Sequence, residues 1–262
     1  MTNKEIMRIA MEQSAIDFNC STDAFIEERN TIVSNNLISG RKTCYSKPLF
    51  CRIAYYGHGL VISADDKIQN YMAQFAQKHQ GYRCFDTPQL TALNHEFEKY
   101  GKCVCHIAEF FLPDRNKQVA PKADLEIRIL YEDQIPYLYS DKRFSMALTY
   151  ETDEDKKDVI AATGYLNGQL VGVAGASNDC DTMWQVGIDV IPEFRNMGIA
   201  STLTKRLTDE ILSLGKVPYY CTAWSNLASK NNALRSGYRS AWIEMAVKDI
   251  SVAMEMIQEL PY

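Results

Sequence analysis

The sequence predicts an α/β protein built in two successive regions, on three observations. Runs of alternating apolar and polar residues, the mark of half-buried strands, recur between segments whose apolar residues repeat at helical spacing. The stretch from Trp184 to Leu214 joins one of each through a tight loop. Between Pro113 and Ala123 the polar run PDRNKQVAPKA, with two prolines, reads as a connection between regions. The boundary falls near residue 120, giving an N-terminal α/β domain over 1–120 and a second domain over 121–262.

In the first region, residues 1–17 read as a helix with Ile6, Ile9, Ala10 and Met11 on its apolar side. Ser21 or Thr22 caps a second, short helix through Phe25 and Ile26. The runs 49–54 and 59–63 are rich in strand formers and flank the turn Tyr55-Tyr56-Gly57-His58-Gly59. A helix over 65–78 carries Ile68, Tyr71, Met72 and Phe75 on one face. Another opens at Thr87-Pro88, because proline suits a first helical turn, and runs to Tyr100 before Gly101. Residues 103–112 make an apolar strand. None of this region's patterns carries a catalytic motif.

The second region opens with a strand over 125–130, Leu125, Ile127 and Ile129 alternating with Glu126 and Arg128. Helical material follows from Asp133 to Leu148, with Pro136 in its first turn. The acidic run Glu151-Thr-Asp-Glu-Asp reads as a solvated loop. Residues 159–165 and 169–176 form a hairpin around Asn167-Gly168, a pair suited to a type I′ turn. After the central stretch come a strand over 217–223, a helix over 228–236 and a last strand over 241–247.

The central stretch carries the chemistry. Trp184, Val186, Ile188 and Val190 alternate along a strand that Pro192 stops, since proline cannot donate to a ladder. Ile199, Leu203, Leu207, Ile211 and Leu214 then form one apolar helical stripe, and Gly215 sits where a C-cap belongs. The loop between them runs Arg195-Asn196-Met197-Gly198-Ile199-Ala200. A helix N-terminus has unpaired N–H groups and a partial positive charge, so it attracts phosphate. Gly198 permits close backbone approach, Ala200 stays small, and Arg195 adds a permanent cation that forks onto phosphate oxygens.

Composition narrows the classes of function. The chain is 46% hydrophobic and 23% charged, ordinary for a globular protein, and has no apolar run long enough to span a bilayer. Its N-terminus lacks a signal-peptide core, which makes the cytoplasm the expected location. A net charge of −5 without a basic block argues against nucleic acid as a partner and leaves cationic acceptors open. The eight cysteines are scattered and read as reduced, buried small side chains. Cys103-Val104-Cys105-His106 has no second ligand pair at zinc-like spacing, so no metal site is assigned.

Arg195-x-x-Gly198-x-Ala200, after a strand ending Val190-x-Pro192-Glu193-Phe194, resembles the donor-binding motif of the GNAT acyltransferase superfamily. Ser225-Asn226-Leu227-Ala228-Ser229 and Ser236-Gly237-Tyr238 are similar to its next strand end, helix and turn, in the same order. With Gly168-Gln-Leu-Val-Gly on the preceding hairpin, the resemblance covers about half the chain, Leu125 to Val247. It looks like a two-domain bacterial member. The resemblance implies a mixed central sheet that splays beside the motif, flanked by helices, with acetyl-CoA as co-substrate.

On that resemblance the cofactor-binding residues are Val190, Arg195, Asn196, Met197, Gly198, Ile199, Ala200, Ser201, Asn226 and Ser229. The implied reaction is N-acetyl transfer to a primary amine of a small molecule. A peptide or protein N-terminus is the alternative acceptor, and a non-catalytic acyl-CoA-binding module the alternative class. The family's usual general-acid tyrosine falls at Ala233 here. Asp189 and Glu244 are the candidate bases, and Tyr220 and Tyr238 the candidate acids. The N-terminal domain is expected to complete the acceptor site, with the Tyr55–Gly59 turn nearest the cleft; a homodimer is open.

Overall fold

A computed structural model describes residues 1–43, 47–79, 81–121, 124–150, 152–153 and 156–259. In chain order the helices are α1 (Asn3–Phe18), α2 (Gln69–Lys78), α3 (Thr87–Glu98), α4 (Ile199–Ser213), α5 (Leu227–Arg235) and α6 (Ile250–Glu259). The strands are β1 (Thr31–Ser34), β2 (Cys51–Tyr55), β3 (Leu60–Ala64), β4 (Lys102–Pro113), β5 (Glu126–Tyr131) and β6 (Thr152–Asp153). They continue with β7 (Lys156–Leu166), β8 (Gln169–Ser177), β9 (Met183–Val190), β10 (Val217–Ala223) and β11 (Tyr238–Asp249). Of the expected acidic loop, Glu151, Glu154 and Asp155 lie outside the described residues, as do Lys122 and Ala123 of the connecting run.

Two compact units divide the chain, and neither is one continuous segment. One holds Met1–Ala10 and Phe110–Ser240; the other holds Met11–Glu109 and Ala241–Tyr262. The expected boundary near residue 120 falls inside the first of these. The division cuts α1, β4 and β11.

In the first unit the strand order is β11-β4-β10-β9-β8-β7-β5. β9 and β10 are parallel, while β8, β7 and β5 continue antiparallel. The β7–β8 hairpin turns at Asn167 and Gly168, both at positive φ (50° and 80°), the backbone of a type I′ turn. α4 lies on one face, where Ile199, Leu203, Leu207 and Ile211 join Val171, Ala174, Val186 and Val190 in a buried cluster. The opposite face is covered by the segment after β5, through Ile135, Leu138, Phe144 and Leu148 against Ala161, Val173 and Ile191.

That covering segment departs from the expected α-helix over 133–148. It forms two 3₁₀ turns, Glu132–Ser140 and Lys142–Phe144. Pro136 lacks the N–H that an α-helix would use, and buried Asp158 competes for the backbone beyond. Its carboxylate accepts the Thr149 N–H at 3.0 Å and the Tyr139 hydroxyl at 3.0 Å, which holds the chain irregular.

In the second unit the order is β1-β3-β2-β11-β4, with β1 and β3 parallel. Met72, Phe75, Leu93 and Phe97 of α2 and α3 pack on Ile53, Ile62, Met245 and Val247. The other face buries Phe18, Phe25, Ala54 and Val61. It also holds charge: Lys42 pairs with Asp17 at 2.6 Å and Arg52 with Glu244 at 2.7 Å, the second pair with side chains only 4% and 6% exposed.

Candidate active site

The loop before α4 is built as the sequence suggests. Gly198 is the N-cap residue, with φ of 80°, and a side chain there would enter open space. The Thr202 N–H makes the first intrahelical bond, to Gly198 O at 3.1 Å, so the N–H groups of Ile199, Ala200 and Ser201 precede the ladder. Ser201 Oγ and Thr202 Oγ1 also donate to Gly198 O, and Gly198, having no side chain, leaves the helix end without a side-chain cap. Arg195, Asn196, Met197 and Gly198 are exposed, while Ile199 is buried and anchors the turn. Arg195 Nε donates to Val190 O at 3.0 Å, which ties the guanidinium to the end of β9.

Beside that loop the parallel strands part. The β9–β10 pairing runs only from Met183↔Val217 to Val186↔Tyr220, although β9 continues to Val190 and β10 to Ala223. The Ile191 N–H bonds Val171 O, which fixes the phase of the β8–β9 ladder. By antiparallel alternation, Ile188 and Val190 direct their backbone groups away from β8, toward the gap. Val190 O is taken by Arg195, so the strand end offers its N–H and the backbone of Ile188.

The remaining candidate residues divide by access. Asp189 Oδ2 accepts the backbone N–H groups of Met146 at 2.6 Å and Ala147 at 3.2 Å. Burial raises its pKa, against the pull of those two donors and of Arg195. Tyr220 is 3% exposed, its hydroxyl 2.9 Å from Ser229 Oγ, and burial pushes its pKa up. Asn226 caps α5 by accepting the Ser229 N–H at 3.1 Å, so both polar residues of that strand end have structural partners.

Tyr238 has no exposed surface; its hydroxyl meets Thr208 Oγ1 at 2.6 Å inside the core. In this arrangement it is a core tyrosine. Glu244 lies in the second unit, where its two oxygens accept Arg52 Nη2 and, at 2.8 Å, Trp242 Nε1. Both of its oxygens are thus engaged within the fold. Ala233 is also fully buried, in the cluster beneath α4. The sequence reading overlooked the paired glycines Gly175 and Gly187, whose positions inside strands signal a backbone close above them.

Residues 125–238 match the sequence model of the Acetyltransferase (GNAT) family. The chain therefore carries a GNAT acetyltransferase domain over that segment. Members of this family use acetyl-CoA. No curated protein matches the chain. Among solved structures, a putative GNAT acetyltransferase from Novosphingobium aromaticivorans DSM 12444 is 18% identical, with a TM-score of 0.41. That likeness covers 56% of this chain and 66% of the other, just under two thirds of its length. A GCN5-related N-acetyltransferase-like protein from Streptococcus suis 89/1591 is 10% identical, covering 94% and 98%, at TM-score 0.47. An aminoglycoside N-acetyltransferase in complex with CoA is 18% identical, covering 47% and 93%, at TM-score 0.35.

Proposed function

We propose that the protein transfers the acetyl group of acetyl-CoA to a primary amine of a small molecule by direct attack. The observation that carries this reading is the parting of β9 from β10 directly beside an uncapped helix N-terminus. The N–H groups of Ile199, Ala200 and Ser201, with Arg195, suit a pyrophosphate. The Val190 N–H and the Ile188 backbone suit an amide-bearing arm lying in the gap as an added strand would.

In the reaction the neutral amine nitrogen bonds to the thioester carbon and gives up its extra proton to solvent, the C–S bond breaks, and the sulfur leaves with the electron pair. The acceptor ammonium must first lose a proton to solvent, which costs about 4.6 kcal/mol at pH 7 for a pKa near 10.4. Alignment of the two reactants contributes about 7–11 kcal/mol, enough to carry a site with modest proton chemistry. We take Tyr220 as the side chain that returns a proton to the sulfur. Its backbone stands at the last β9–β10 pair, and burial keeps its phenol neutral.

One observation favours a second reading, a module that binds acyl-CoA without turnover. Ala233, Tyr238 and Glu244 leave little acid–base chemistry in reach. The two readings separate on free thiol released from acetyl-CoA in the presence of an amine panel. Mass spectrometry of a metabolite and peptide extract then names the acceptor class. Calorimetry of Gly198→Asn tests the donor site itself. Asparagine tolerates positive φ, so the fold is expected to survive while acetyl-CoA affinity falls about tenfold or more. Unchanged affinity in the folded variant would sink the donor assignment.

A further inference from the structure

Gly175 and Gly187 are direct cross-strand partners on β8 and β9. A Cβ on Gly187 would stand 2.3 Å from Met146 O, and one on Gly175 would stand 2.3 Å from Ala147 O. The Met146 and Ala147 carbonyls therefore come down onto the sheet at two positions where side chains are missing. Two residues along β9, on the same face, Asp189 accepts the N–H groups of both residues, Met146 and Ala147. Two glycines below and one carboxylate at the end fix a short stretch of irregular chain from both sides.

The place where this happens is informative. Val186 and Val190 face α4 and its core, so Gly187 and Asp189 face away from it. The Met146–Ala147 peptide is thus clamped on the face opposite α4, at the level where β9 has already left β10. A donor held at the α4 N-terminus leaves that opposite face for the acceptor. Met146 is 72% exposed there, an apolar side chain that the core does not use.

We propose that Asp189 is a positioning residue that fixes the Met146–Ala147 peptide as the acceptor wall of the gap. Met146 is its apolar tip and selects amines with an apolar group next to the nitrogen. This rests on the acetyl-transfer reading above. It replaces the general-base role considered for Asp189 with one that acts through the wall.

The test uses the full chain with Asp189→Ala, Asp189→Asn and Met146→Ala, and alkylamines from methylamine to hexylamine as acceptors. Amide hydrogen exchange at Met146 and Ala147 is expected to quicken about tenfold in D189A and to recover partly in D189N. Acceptor KM is expected to rise about tenfold in D189A, while acetyl-CoA affinity stays within about twofold. M146A is expected to flatten the preference among alkylamines by about tenfold. Unchanged exchange in D189A overturns the clamp, and an unchanged alkylamine profile in M146A overturns the wall. Acetyl-CoA binding without acetylation of any alkylamine overturns the acceptor class. A wild-type chain that binds no acetyl-CoA sinks the functional reading and the wall with it, while the exchange measurement still decides the clamp.

Discussion

Ala233 occupies the helix position where the family's acid tyrosine was sought, and its side chain has no exposed surface. A phenol there would have to enter the cluster formed with Leu203, Leu207 and Tyr238. Ala233→Tyr is therefore expected to overpack the core, lowering stability by about 1–3 kcal/mol without raising turnover. Denaturant melts and thiol release measured on the same preparation check both halves. A stable, faster Ala233→Tyr enzyme would show that the cavity for a tyrosine is already there.

Asp158 is the second residue whose environment sets an outcome. Its carboxylate is 2% exposed, and burial raises its pKa more than the Thr149, Tyr150 and Tyr139 donors lower it. The native state thus keeps its proton to a higher pH than the unfolded chain, where aspartate titrates near about 3.9. Stability from this group is full at low pH and is lost as pH rises from that value through the raised one. Asp158→Asn carries no such charge. Across that window the stability difference between variant and parent is expected to move toward the variant as pH rises. A difference that stays constant with pH would count against the raised value.

At the scale of elements, the sequence announced most of what was found. The alternation of Trp184–Val190, the stop at Pro192 and the stripe from Ile199 gave a strand, a turn and a helix within a residue or two. Asn167-Gly168 gave its hairpin for the same local reason. What escaped was β1, only four residues long and never more than half-buried, and α6, whose apolar face continues directly from β11. The 3₁₀ segment escaped because its conformation answers to Asp158 and Asp189, which lie well ahead in the chain. The buried pair Arg52–Glu244 joins β2 and β11 and could not be read from either strand alone. Arg52→Ala removes the ion-pair partner of a buried carboxyl group, so it is expected to cost about 3–5 kcal/mol in denaturant unfolding. A loss below about 1 kcal/mol would mean that the pair is solvated in solution.

For the whole molecule, the two units interleave along the chain. A fragment beginning at Pro121 discards Phe110–Pro113, the part of β4 that lies between β10 and β11 in the first unit. Phe111 belongs to the cluster under α4, and the ring of Phe110 stacks on Tyr219 at 6.1 Å. Such a fragment is expected to show no cooperative thermal transition, whereas one beginning near residue 110 retains that strand. Circular dichroism melts compare them, and equal cooperative melts would support a boundary near 120. The sequence by itself determined the α/β class, the strand–loop–helix motif and the phosphate-suited helix end, because each depends on residues within a few positions of one another. Only the folded chain showed that Asp189 accepts two backbone N–H groups, that Tyr238 and Glu244 are buried against distant partners, and that the compact units are not continuous segments. Those outcomes depend on burial and on partners dozens of residues away, and periodicity carries no record of which distant strand will stand beside which.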